Sequence, residues 1–185
     1  EKIFVSTEDE NISRIASAYG VDIIQRPKSL AQDDSSEWLA WQHAINWLEK
    51  RDDSFDVFLS LPTTSPLRKK KDVASCLDAL DNESDVVIGI TKANRSPWFN
   101  MVKQDKNKNL QLIIKENEKV HNRQEAPSAF DMTTVAYVTT PKFIKNSKGI
   151  FDGDVKGIKI APERAIDIDS ELDFEIAEFL MSKNI

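Results

Sequence analysis

At 185 residues the chain is long enough to bury a core as one domain, and its 40% hydrophobic and 30% charged residues suit a soluble globular protein. Its 31 acidic against 25 basic residues leave a net charge of −6, which disfavours nucleic acid as the main partner. No apolar run reaches the roughly 18 residues of a membrane span, and no basic region leads into an apolar stretch at the N-terminus, so a cytoplasmic protein without membrane partners is expected.

Ile3-Phe4-Val5 is a short apolar burst, Ser6-Thr7-Glu8-Asp9 a polar turn, and Ile12, Ile15, Ala16 and Tyr19 recur at helical spacing. Strand, loop and helix are predicted in that order. Val21 to Ile24 reads as a second strand, and Arg26 to Asp34, with Pro27, as a loop. A long helix follows, opening after the cap candidates Ser35 and Ser36, with Trp38, Trp41, Ile45 and Leu48 on one stripe and Trp47 off it. His43 on that helix reads as packing or a surface hydrogen bond, not a base. Val57 to Leu61 is a strand ended by Pro62-Thr63-Thr64-Ser65-Pro66. The next helix runs through Val73, Cys76, Leu77 and Leu80, its start carrying the solvated basic run Arg68-Lys69-Lys70-Lys71. Cys76, the lone cysteine, reads as a small buried hydrophobe. Asp85 to Ile90 is a buried strand. Residues 98 to 121 are mixed and charged, with a hairpin predicted at Asp105 to Asn109, so they read as an excursion from the main sheet. Val135 to Val138 and Val155 to Ile160 are strands, and Leu172, Ile176, Phe179 and Leu180 mark the apolar face of a final helix.

Strands alternating with helices predict an α/β fold, a mostly parallel central sheet with helices on both faces. Ligands in such folds sit beyond the strand C-termini, here the loops Ser6 to Asp9, Arg26 to Ser36 and Pro62 to Arg68. In Ile166-Asp167-Ile168-Asp169 the two carboxylates share one side of an extended segment. Paired carboxylates suit a divalent cation, Mg²⁺ above all. The competing reading is a helix cap, since Ser170 and Asp173 form a capping-box pattern directly after them.

These stretches together resemble the acylneuraminate cytidylyltransferases, which activate sialic acid and related keto sugars as CMP-sugars. Val5-Ser6-Thr7 is similar to the family's strand and Ser-Thr-Asp loop, and Arg26-Pro27, Leu30-Ala31 and Asp33 to its next segment. Ser65-Pro66-Leu67-Arg68, then Arg123-Gln124 with Pro127 and Tyr137, and finally Ile166 to Asp173 follow in order. The resemblance implies a single Rossmann-like nucleotidyltransferase domain over residues 1–185. It further implies that the family's first strand and phosphate-gripping loop are missing ahead of it, and that the segment at about 98–133 serves dimerisation and sugar contact.

It also implies CMP transfer from CTP to a 2-keto-3-deoxy nonulosonic acid, with release of pyrophosphate, by a homodimer. Asp167 and Asp169 would hold Mg²⁺ as the catalytic pair. Ser6, Thr7 and Arg26 would lie at the nucleotide, with Asp33 and Ser36 ordering its pocket, and Arg123 and Gln124 would contact the sugar. Two departures bear on the substrate. Pro62 stands where the sialic acid enzymes carry a sugar-contacting Gln, and Asp131-Met132-Thr133-Thr134 replaces Arg-Pro-Asn-Gly. The substitution sets Asp131 and Thr133 at the sugar, and with Asn94 to Val102 it looks more like the branch handling legionaminic-type sugars. CMP-Kdo synthesis, or a non-catalytic fragment that binds nucleotide or a partner, are the alternative readings.

Overall fold

In the computed structural model residues 2–115, 122 and 124–183 are described. The elements are β1 (Phe4–Thr7), α1 (Glu10–Ala18), β2 (Asp22–Gln25), α2 (Glu37–Glu49), β3 (Phe58–Ser60), α3 (Lys70–Asp78) and β4 (Val86–Lys92). There follow β5 (Val102–Gln104), β6 (Leu110–Leu112), β7 (Phe130–Thr139), α4 (Pro141–Asn146), β8 (Val155–Lys159) and α5 (Glu171–Ser182). The class is α/β with a mostly parallel central sheet, as the alternating pattern predicts. No helix among the described residues is long and apolar enough to cross a membrane.

The chain divides into two compact units, the first made of Glu1–Phe58, Asn82–Val86 and Thr139–Val155. In it β1 and β2 pair in parallel, Phe4 opposite Asp22 through Thr7 opposite Gln25. The connecting helix is cut to length by its ends. Asp9 caps it by accepting from the Ile12 N–H at 2.8 Å. Gly20, at φ +77°, closes it with a Schellman pair, its N–H bonding Ser17 O while the Val21 N–H bonds Ala16 O. The stripe of α2 is buried as its spacing requires: Trp38, Trp41, Ile45 and Leu48 are all inside. Trp38 meets Trp41 at 5.3 Å and Phe143 at 6.0 Å, and Trp41 meets Phe58 at 5.5 Å. Trp47, off the stripe, is half-buried between Phe4 and the Arg51 guanidinium, which stacks 3.4 Å from its ring centroid. Ser36 holds the N-cap position of α2 without a capping side-chain bond.

The second unit is made of Leu59–Asp81, Val87–Val138 and Lys156–Ile185. Its sheet runs β3-β7-β4-β8, and Cys76 and Leu77 of α3 pack on Val87, Val135, Ala136, Val138 and Ile160. Cys76 is fully buried and its thiol is pushed up to about 11, first by burial and then by the nearby Asp72 charge, so it is an inert packing group. The predicted excursion carries the antiparallel hairpin of β5 and β6. Asp105 builds its turn by accepting from the N–H groups of Asn107 and Asn109. The stripe on α5 behaves differently from expectation. Its helix forms, but only Ala177 is buried, while Leu172 is 63% and Phe179 59% exposed. A 3.6-residue period fixes a common face and does not specify what lies against it.

Gly89 in β4 is a close-approach position. A Cβ there would sit 2.6 Å from Thr133 Oγ1 and 3.1 Å from Ile160 Cγ1. Gly89→Ala should therefore cost about 1–3 kcal/mol in urea unfolding, the usual scale of overpacking. Adding Thr133→Ala should recover part of that loss, and a neutral Gly89→Ala would contradict the packing described.

Candidate active site

In the first unit the end of β2 places Arg26 across the end of β1. Its backbone N–H bonds Thr7 O at 3.0 Å, its Nη2 donates to Ser6 O, and Nε lies 3.9 Å from Glu8 Oε2. Arg26 Nε and Ser6 Oγ are nonetheless buried without a hydrogen-bond partner. Thr7, Glu8, Arg26, Gln32, Ser35 and Ala40 are among the residues lining a cleft of about 300 Å³. The structure thus brings Thr7 and Arg26 into one cleft, with Ser6 bonded to Arg26. Asp33 and Ser36 are exposed and outside its lining, where Ser35 stands instead. His43 on α2 has a buried, unpartnered Nδ1. Burial, then the charges of Arg26 and Lys50, hold its pKa below the ordinary value.

The second unit builds a different kind of site around the loop between β3 and α3. Ser65 is buried there and its hydroxyl lies 2.6 Å from Thr134 Oγ1. Arg68 donates through Nη2 to Pro62 O and, at 3.2 Å, to Thr134 O, so the first member of the basic run is half-buried and not solvated. Burial lowers the pKa of its guanidinium, and the Asp167 carboxylate acts in the opposite direction. The segment holding Asp167 is bonded to the same loop: the Ile168 N–H donates to Thr64 O at 2.9 Å, and Ser65 Oγ donates to Ile166 O at 3.4 Å.

Asp167 is half-buried, and its Oδ1 has no hydrogen-bond partner. Asp169 is exposed. The capping alternative is met by other groups, because the cap of α5 is made by Ser170 and Asp173, with Asp173 Oδ2 accepting from the Ser170 N–H at 2.9 Å. A buried carboxylate oxygen with no donor is costly unless a cation satisfies it. The donor set is therefore of the right chemistry for a hard divalent ion. Among the described residues no group of three or more His, Cys, Asp or Glu side chains converges, so an ion here would take its remaining ligands from water and substrate, as Mg²⁺ commonly does.

Asp72 and Arg164, neither singled out in the sequence, form a forked ion pair in this unit. Arg164 Nε and Nη2 reach the two Asp72 oxygens at 2.8 and 3.0 Å, with both side chains largely buried. Asp72 also accepts the Lys69 N–H at 2.9 Å, capping α3. Burial pushes its carboxyl up, but the hydrogen bonds from Arg164 and Lys69, with nearby positive charge, outweigh this and hold it below the usual aspartate range.

Of the residues expected at a sugar, Arg123 lies outside the described residues. Gln124 is exposed in a turn where its N–H bonds Asn122 Oδ1. Asp131 is exposed on β7, while Thr133 is buried and its hydroxyl accepts from the Val135 N–H. It is the neighbouring Thr134 that joins Ser65 and Arg68. Adjacent strand residues point to opposite sides, so choosing between the two threonines requires the register of β7.

No family model matches the chain. The CMP-N,N'-diacetyllegionaminic acid synthase of Campylobacter jejuni is 31% identical over 189 residues, covering 99% of this chain and 78% of that protein. The chain belongs to the acylneuraminate (CMP-nonulosonate) cytidylyltransferase family. Post-translational flagellin modification protein B of Campylobacter coli is also similar, 30% identical over 98% of the chain and 77% of its own length. In fold, the family member resembles CMP:2-keto-3-deoxy-manno-octonic acid synthetase solved with CTP, at TM-score 0.69 and 14% identity over 100% of this chain and 82% of that one. A 4-diphosphocytidyl-2C-methyl-D-erythritol synthase is likewise similar in fold, at TM-score 0.67 and 9% identity over 98% and 82% of the two chains.

The depressed Asp72 carboxyl sets a pH dependence. A carboxylate whose folded pKa lies below its unfolded value of about 3.9 stabilises above that value and loses the contribution as pH falls through the folded one. Asp72→Asn should accordingly lower stability at pH 7 and flatten the fall in stability below about pH 4, as read by urea unfolding across pH. An acid slope identical to wild type would show that the pair contributes nothing.

Proposed function

We propose that this cytidylyltransferase transfers CMP from CTP to the anomeric hydroxyl of a nonulosonic acid, releasing pyrophosphate, and that its own substrate is of the legionaminic type. The observation that carries the site assignment is the orphaned, buried Oδ1 of Asp167 beside Arg68 in a chain of this family. With Asp169 it would hold Mg²⁺, which when bound supplies neutralising charge to the phosphoryl oxygens as the α-phosphorus is attacked. Arg68 keeps a half-buried positive charge near Asp167, balancing the carboxylate until a cation arrives. Arg26, with Ser6 and Thr7, offers buried donors suited to the nucleotide. The legionaminic assignment is supported by the name of the 31% identical relative, by a second CMP-N,N'-diacetyllegionaminic acid synthase from Legionella pneumophila at 25% identity, and by Asp131. An exposed carboxylate at that place suits an amide or hydroxyl donor more than a second carboxylate. A homodimer fits the hairpin of β5 and β6, which exposes Val102 and Leu110, and a cytoplasmic location fits a CTP-consuming enzyme.

The test is pyrophosphate release by the protein expressed from its complete reading frame. Release should require CTP, a nonulosonate and Mg²⁺, and Asp167→Ala should lower it by at least about 100-fold. Full activity of that variant would sink the metal assignment. Legionaminate should exceed N-acetylneuraminate in kcat/KM by at least about tenfold, and the reverse order would overturn the substrate reading.

A further inference from the structure

Asp72 and Arg164 are 92 residues apart in sequence, and neither belongs to the proposed cation site. We propose that their ion pair is a positioning clamp that holds Asp167 in place for its cation, a role resting on the reading of Asp167 as a ligand.

Stability alone does not account for such a pair. Buried ion pairs are often replaceable by apolar residues without loss, because desolvation cancels most of the attraction. What a forked pair supplies is direction: two parallel N–H···O bonds fix the guanidinium plane and, through it, the backbone that carries it. Here that backbone is the tight turn Pro162–Arg164, which ends three residues before Asp167. Asp72 is itself fixed, because it sits in the first turn of α3 and accepts the Lys69 N–H.

The other side of Asp167 is tied to the same element. Ile168 donates its N–H to Thr64 O, and Ser65 Oγ reaches Ile166 O, both partners lying in the loop that leads into α3. Arg68, whose charge meets that of Asp167, lies in that loop as well. The span from Arg164 to Ile168 is thus held at both ends by one loop and helix start, and the three residues between those fixed ends have little freedom. A buried carboxylate oxygen left without a donor keeps its position only if the backbone on both sides is restrained. The clamp at Arg164 and the amide at Ile168 are those restraints.

Arg164→Lys keeps the charge facing Asp72 and loses only the fork, so it is the mild variant of the pair. In the metal-free full-length protein, hydrogen exchange at the Ile166–Ile168 amides should quicken by about tenfold, while Val87 and Val135 in the sheet keep wild-type protection. In the loaded enzyme, the Mg²⁺ concentration for half-maximal pyrophosphate release should rise by about tenfold, as for other groups that orient a ligand, with KM for CTP at saturating Mg²⁺ little changed. Unchanged exchange at Ile166–Ile168 would overturn the clamp. So would an equal loss of protection through the whole unit, the mark of a merely stabilising pair. A wild-type enzyme whose activity ignored Mg²⁺ would instead overturn the proposed cation role, with the exchange result still deciding whether the pair restrains the segment.

Discussion

Asp72 remains ionised inside the second unit because Arg164 meets both of its oxygens and the Lys69 N–H meets one of them again. Either partner alone would be a buried, uncompensated charge, a loss on the order of 3–5 kcal/mol. Their meeting joins the first turn of α3 to the turn Pro162–Arg164, and the course of the chain into α5 follows from that junction. The loop from Pro62 to Arg68 is drawn into the same arrangement by its bonds to Ile166 and Ile168.

The contrast between the carboxylates of Asp72 and Asp167 is what gives the unit a functional reading. Every oxygen of Asp72 is matched, whereas Oδ1 of Asp167 is not. A folded protein rarely leaves such a group unpaired without a ligand or a chemical role to explain it. Membership of the cytidylyltransferase family supplies a reaction in which negative charge gathers on phosphoryl oxygens, and a carboxylate kept free for a divalent ion suits that reaction. Arg68 lowers the cost of that unpaired charge, since its guanidinium interacts with the Asp167 carboxylate.

Most elements were legible in the sequence because their signals are local. The spacing of Trp38, Trp41, Ile45 and Leu48 fixed a helix and its buried face together, and Asp105 with Asn107 and Asn109 carried the turn chemistry of a hairpin. Ser170 and Asp173 announced the cap of α5. The parts that escaped are those a local pattern cannot encode. Pairing of Asp72 with Arg164 depends on chain segments 92 residues apart, and nothing near either residue names the other. The choice of Thr134 over Thr133 depends on which side of β7 faces the Ser65 loop. Burial of α5 failed differently, since its apolar periodicity is real while Leu172 and Phe179 stay exposed. Asp33 and Ser36 sit in a recognisable motif yet lie outside the cleft lined by Arg26 and Ser35, because a motif marks a loop more surely than it marks which of its side chains turn inward.

In the function proposed here, Asp167 would be held unpaired to receive a divalent cation. Anomalous diffraction at the manganese edge, from crystals of the full-length protein grown with Mn²⁺ and CTP, tests it most directly. A peak within about 2.0–2.4 Å of Asp167 Oδ1 is expected, with CTP oxygens completing the coordination. A manganese ion bound to the nucleotide with Asp167 left outside its coordination sphere would contradict it.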